Sequence, residues 1–156
     1  MSLEDFKAVD SETIPVGKLL YMIGKGYYSY INRHIEEFGI NTTQLHLLFE
    51  ISGQSDINQE RIAERCNINK GAVARSIRKL EDNGLLTRQI DENNRRQNIL
   101  SLTPKGEEIL EKSVKVLGQW EDEVILDKGY IEKELLQKVL KEIAVKTIEL
   151  NQKEMN

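Results

Sequence analysis

Between Asn69 and Leu80 the chain carries Lys70, Arg75, Arg78 and Lys79 and no acidic residue. Read with a helical period, Gly71, Arg75, Arg78 and Asp82 fall on one face, while Val73, Ile77 and Leu80 fall on another. An arginine on the open face of a helix can offer two parallel hydrogen bonds to the edge of a guanine, and a lysine at its rim suits a phosphate. The pattern makes Arg75 the leading base reader and Arg78 the second, with Lys70 and Lys79 on phosphates. Gly71 and Ala72, both small, let the helix backbone approach closely. Taken alone, the segment also fits an ordinary solvated basic helix, so its neighbours must decide.

Those neighbours read as a helix-turn-helix. Asn58 is placed to cap a helix over Gln59–Cys66 and Asn69 a second over Lys70–Asn83, with only Asn67-Ile68 between them, so the two must cross steeply. Ala63 supplies the small residue where such helices touch, Asn67 a residue tolerant of left-handed geometry, and Val73 the apolar anchor of the second helix. After Gly84, Leu85–Ile90 and Arg95–Leu102 read as two strands joined by the polar turn Asp91-Glu92-Asn93-Asn94. This hairpin presents Arg95 and Arg96 on a narrow support able to reach a minor groove, where arginine is favoured. Without the preceding helices, a solvated hairpin tip would be the simpler reading.

The rest of the chain is helical in pattern. From Pro15 the apolar residues Leu19, Leu20, Ile23, Tyr27, Tyr30, Ile31, Ile35 and Phe38 recur at three- and four-residue steps up to Gly39. A further helix runs from an Asn41 or Thr42 cap to Gly53, a residue suited to a left-handed ending, and Gln54–Ile57 reads as a short strand. Thr103-Pro104 opens a fifth helix that breaks near Gly129, and a last one covers about Ile131–Leu150. The fold class expected is mainly α with a small β-hairpin wing. Residues 41–106 form the winged helix-turn-helix, 15–40 and 107–156 a helical dimerisation region, and 1–14 a flexible tail. Leu19, Ile23, Tyr27, Ile31, Leu135, Val139, Ile143 and Ile148 lie far from the winged segment in sequence and are apolar enough to call for a second copy of the chain.

Composition narrows the alternatives. The 156 residues have a net charge of −4, yet residues 54–106 carry ten Lys/Arg against seven Asp/Glu, so the positive charge is gathered where the helix-turn-helix lies. No apolar run approaches the ~18 residues of a membrane span and the acidic start lacks a leader pattern, so a cytoplasmic protein is expected. One cysteine, Cys66, and two distant histidines offer neither a disulfide nor a metal cluster. No cofactor is expected. No glycine-rich phosphate loop or nucleophile–base pair speaks for an enzyme.

The stretch NQERIAERCNINKGAVARSIRKLEDNGLLTRQIDENNRRQNILSLTPKGEEIL resembles the winged helix-turn-helix core of the MarR/SlyA family. The resemblance is strong over residues 58–110 and looser in the helical flanks. It implies a homodimeric transcriptional regulator on a pseudo-palindromic double-stranded DNA operator, most often a repressor. It further implies a small phenolic or lipophilic anion as effector, lowering DNA affinity, with Tyr27, Tyr30, Arg33, His34 and His46 as candidates for its walls and cationic partners. Each of these also fits simple helix packing. Cys66 falls at a position where a small apolar residue packs, and reads as core filling rather than as a redox sensor. Two departures stand out: Gly71 and Ala74 lack hydroxyls that the family often has there, and Asn94 replaces an acid before the wing arginines. The altered positions keep a second reading open, a winged-helix module that docks a protein partner without specific DNA binding.

Overall fold

The computed structural model describes residues 2–54, 57–66, 68–90, 98–125 and 132–154. It divides into two compact units, residues 1–117 and 118–156.

The first unit opens with α1 (Leu3–Ala8), inside the segment where no element was expected. Sequence periodicity missed it because it buries nothing. It is held by a reciprocal cap, in which the Ser2 hydroxyl accepts from Asp5 N and the Asp5 carboxylate accepts from Ser2 N. A single 3-10 turn follows at Ser11–Thr13. The long helix α2 (Val16–Ile35) begins after Pro15, which stands at its N-cap, one position before the expected first turn. A 3-10 turn, Glu36–Phe38, ends at Gly39, where the helical pattern was expected to stop, with a left-handed φ of 74°.

Helix α3 (Thr42–Ser52) carries a second capping box, Asn41 with Gln44. The Gln44 side chain is buried and satisfied by that cap. The Asn32 side chain accepts from Thr42 N at 2.9 Å and so ties the end of α2 to the start of α3. Gly53 corrects the expected left-handed ending: its φ is −81°. The Ser52 hydroxyl and Gly53 N–H both bond the Phe49 carbonyl, so the last turn is closed without left-handed geometry. The strand expected over 54–57 is reduced, among the described residues, to a bridge between Asn58 and Ile99 and a bond from Leu100 N to the Ile57 carbonyl.

Helices α4 (Gln59–Cys66) and α5 (Lys70–Asp82) follow with the expected caps: Asn58 Oδ1 accepts from Arg61 N, and Asn69 Oδ1 from Gly71 N and Ala72 N. Ile62 and Ala63 of α4 and Val73, Ile77 and Leu80 of α5 are buried. They join Leu45, Leu47, Leu48 and Ile51 of α3 in one core. Asn67, the expected left-handed turn residue, lies outside the described residues.

The exit from α5 is closed at Gly84, φ 70°, with Gly84 N bonded to the Glu81 carbonyl and Leu85 N to the Leu80 carbonyl. That pair of bonds is the Schellman ending. Strands β1 (Leu86–Ile90) and β2 (Asn98–Leu102) then pair antiparallel, Leu86 opposite Leu102 and Ile90 opposite Asn98. Residues 95–97 of the expected second strand lie outside the described residues. Leu86 and Leu100 turn into the core, so the wing is anchored by its base. The wing turn with Arg95 and Arg96 lies outside the described residues.

Helix α6 (Pro104–Val124) starts where expected. The Thr103 hydroxyl donates to the Gly84 carbonyl at 2.7 Å and accepts from Gly106 N at 3.0 Å, and Lys105 Nζ donates to the Asn83 carbonyl. These bonds lock the start of α6 against the end of α5.

Ile31 and Ile35 of α2 are fully buried within this unit. Ile31 was expected at a face shared with a second copy; instead it belongs to the chain's own core. Toward its N-terminal end, α2 exposes Val16, Leu20, Tyr21, Met22 and Ile23.

The second unit holds the end of α6 and α7 (Lys133–Glu154), with Lys133 paired to Glu121. None of the described residues of α7 is buried; Leu135, Val139, Leu140, Ile143, Ile148 and Leu150 are all exposed. The expected break at Gly129 and the expected start at Ile131 lie outside the described residues. No helix among the described residues is long and apolar enough to cross a membrane.

Among the described glycines, Gly106 makes the tightest approach. A Cβ there would stand 2.0 Å from the Leu85 carbonyl oxygen, backbone that cannot yield without moving α5 or β1. Gly106→Ala is expected to destabilise by about 1–3 kcal/mol or more through overpacking, read as a lowered thermal midpoint by circular dichroism. An unchanged midpoint would mean that α6 does not press on Leu85.

Candidate nucleic-acid interface

Burial of Val73, Ile77 and Leu80, worth roughly 1.5–3 kcal/mol each relative to exposure, turns the opposite side of α5 outward. Gly71, Arg75, Arg78, Lys79 and Asp82 are exposed there, and Ala72 is half-buried at its edge. Among the described residues Arg75, Arg78 and Lys79 take part in no ion pair. The first turn is held by the Asn69 cap, whose oxygen would lie 3.1 Å from a Cβ at Gly71. Arg75 Nη1 would lie 3.6 Å from the same atom, so the guanidinium runs back along the helix over bare Gly71. A Cβ at 71 would make ordinary contact with that nitrogen.

Two cations beside α5 are already engaged. Lys70 Nζ lies 2.6 Å from Glu60 Oε1, at the start of α4, and Arg88 Nε on β1 lies 2.8 Å from Glu81 Oε2. Lys70 was expected to be a plain phosphate contact. It stands exposed at the right end of the helix, but with a carboxylate on it. Hydrogen bonding and charge from Lys70 hold the Glu60 carboxyl below its usual range, and Glu60 in turn raises the Lys70 ammonium. Glu60, Lys70 and Arg88 line one cleft of about 330 Å³ together with Asn58, Gln59 and Asn98.

The residues expected around an effector do not assemble as a set. Tyr30 and His34 stack on each other along α2, ring centres 4.0 Å apart, with His34 Nδ1 donating to the Tyr30 carbonyl. Arg33 is exposed beside them. A cavity of about 610 Å³ does exist, within the usual range for small ligands, but of the five only His46 lines it. Tyr27 meets it indirectly, edge-on to Tyr28 at 5.8 Å. The other walls are Tyr28, Thr42, Thr43, Phe49, Glu50, Arg65, Cys66 and Ile68, which sequence reasoning did not single out. No sequence signal marks them, because α2, α3 and α4 contribute separately and meet only through folding.

Arg65 Nε is paired with Glu50 Oε2 at 2.5 Å in that wall. Cys66 is half-buried at its rim rather than in the core as expected. Burial pushes its thiol up, Glu50 adds to the rise, and Arg65 opposes it. The setting disfavours the thiolate.

Residues 40–97, from the residue before the α3 cap through the wing turn, match the MarR family. The HTH-type transcriptional regulator BilQ of Clostridium symbiosum is 29% identical over 96 residues, which cover 62% of this chain and 67% of that protein. A crystal structure of MarR shares 29% identity and a TM-score of 0.80, over 94% of this chain and 99% of that one. Over residues 40–97 the chain is similar to the MarR family, and its fold is that of MarR. A Staphylococcus aureus MepR–DNA complex has a TM-score of 0.74 over 85% of this chain and 98% of that one, and at 21% identity the likeness is one of fold. The MarR-family resemblance read from residues 58–110 thus holds, with the winged helix-turn-helix architecture. Gly71, where the sequence departs from the family pattern, lies beneath the Arg75 guanidinium.

The Cys66 setting predicts slow alkylation by iodoacetamide near pH 8 relative to a free cysteine peptide. Glu50→Gln removes one acid that raises the thiol and releases Arg65, so it is expected to speed the reaction. Equal rates in both proteins would show that Glu50 exerts no field at the sulfur.

Proposed function

We propose that this chain is a MarR-family homodimeric repressor that binds double-stranded DNA at a pseudo-palindromic operator and is released by a small phenolic or lipophilic anion. The observation that carries the reading is the unpaired, outward set Arg75, Arg78 and Lys79 on a capped helix whose other face is core. Arg75 and Arg78 read base edges in the major groove, Lys70 and Lys79 meet phosphates, and Gly71 and Ala72 bring the helix close. Arg95 and Arg96 of the wing turn reach the adjacent minor groove.

Residues 41–106 act as the DNA-binding part, and 15–40 with 107–156 as the dimerisation part. In support, α2 exposes Val16, Leu20 and Ile23, and α7 exposes Leu135, Val139, Ile143 and Ile148, apolar faces of a kind that a second copy covers. A two-fold dimer with recognition helices roughly 34–36 Å apart meets successive major grooves on one side of the duplex. The chain works in the cytoplasm as a regulator and not as an enzyme. The effector enters the cavity of Tyr28, His46, Phe49 and Arg65, where a carboxylate competes with Glu50 for the Arg65 guanidinium.

Selection of genomic DNA fragments by the purified protein tests this reading. An enriched palindromic site is expected. Arg75→Ala should weaken that site about ten- to a hundredfold, the worth of one two-point guanine contact, while leaving nonspecific binding nearly unchanged. Equal loss on every sequence would reduce Arg75 to a phosphate contact. No enrichment at low salt would favour a protein-docking module instead.

Salicylate added to the complex is expected to raise the apparent Kd, and Arg65→Gln to blunt that response. A Kd that salicylate leaves unmoved would remove the phenolic-anion part of the reading.

A further inference from the structure

The cleft beside the start of α5 carries a carboxylate where a DNA-binding surface ordinarily wants none. Glu60, in the first turn of α4, reaches across to Lys70, the first residue of α5, at 2.6 Å. Both side chains are exposed, so neither is needed to fill the core. Glu64 adds a second, weaker negative influence on Lys70 from the same helix. On the other side of the cleft, Arg88 is held by Glu81. Among the described residues the cations of this region therefore fall into two groups: Arg75, Arg78 and Lys79 take part in no ion pair, and Lys70 and Arg88 are paired in place.

A helix lying in a major groove about 12 Å wide has a phosphate backbone on each side. One of these backbones passes the N-terminal end of α5, which is the end bearing Lys70. A phosphate arriving there finds a neutral pair, and to win Lys70 it must displace a carboxylate that itself repels the strand. The ammonium then exchanges one anion for another and contributes little net attraction. Because Lys70 holds the Glu60 carboxyl below its usual range, the competitor stays ionised at neutral and mildly acidic pH.

We propose that Glu60 competes with a DNA phosphate for Lys70, and so sets the DNA affinity of this chain below what its cations alone would give. The inference rests on the DNA-binding reading above and adds a residue that restrains it. Glu60 is a positioning residue: it acts through Lys70 and touches no base.

The test is a double-mutant cycle on the full chain, with wild type, Glu60→Gln, Lys70→Gln and the double variant titrated against an enriched operator and a scrambled duplex over a range of salt. Glu60→Gln is expected to tighten binding to both duplexes about two- to fivefold, the range of one exposed charge pair. It should also steepen the salt dependence by roughly 0.9 in log Kd against log salt, as one more phosphate is neutralised. Lys70→Gln should leave the salt slope near its wild-type value while Glu60 is present, but lower it by roughly 0.9 once Glu60 is neutral, because only then does Lys70 hold a phosphate. Thermal midpoints of the four proteins should agree, both positions being exposed.

Equal changes of salt slope on Lys70→Gln in the two backgrounds, or an unchanged salt slope in Glu60→Gln, would overturn the proposal while leaving DNA binding intact. If none of the four proteins retains any duplex at low salt, the DNA-binding reading fails and the competition falls with it.

Discussion

Everything that the outer face of α5 can do depends on what its inner face buries. Val73, Ile77 and Leu80 have no accessible surface, and their spacing of four and three residues puts them on one stripe of the helix. Rotating α5 about its axis would draw those side chains back into water, at a cost far above any single surface contact. The direction in which Arg75 and Arg78 point is therefore set by the core and not by their own interactions. The flanking devices extend the same constraint along the chain. Asn69 closes the N-terminal turn, Gly84 ends the helix with left-handed geometry, and Thr103 and Gly106 press α6 against that ending. The wing, whose base enters the core at Leu86 and Leu100, is thereby held in register with α5.

Charge is arranged on this frame with more discrimination than the net value suggests. The chain is acidic overall, yet the outer face of α5 has no acid from Lys70 through Leu80. Around it, acids each take one cation: Glu60 of α4 takes Lys70, Glu81 at the end of α5 takes Arg88, and Glu50 of α3 takes Arg65. Exposed pairs of this kind add little to stability. Their consequence is to decide which positive charges are free to meet an outside partner.

Helix α4 links two places that are otherwise separate in the first unit. Its first turn, with Gln59 and Glu60, borders the cleft at α5, and its last, with Arg65 and Cys66, borders the cavity lined by Tyr28, His46 and Phe49. Eight residues at 1.5 Å each span only about 12 Å, and Ile62 and Ala63 between them are buried. The helix is a short rod seated in the core, with its first turn at the cleft and its last at the cavity.

The sequence by itself determined the elements whose signals are local. The caps at Asn58 and Asn69, the stop at Gly39, the opening at Thr103-Pro104, and the two faces of α5 were all legible, because each follows from a few residues' own geometry or a single period. Locally driven pieces without that period were missed: α1, held by a capping box with no apolar stripe, and the right-handed ending at Gly53. Only the tertiary structure decided which residues from distant elements meet. It took Ile31 into the chain's own core, placed Cys66 at a cavity rim, brought Tyr28 and Arg65 rather than Tyr30 and Arg33 to that cavity, and set Glu60 on Lys70. Such meetings depend on helix crossings that no spacing within one segment encodes, since they arise from how several faces share one core.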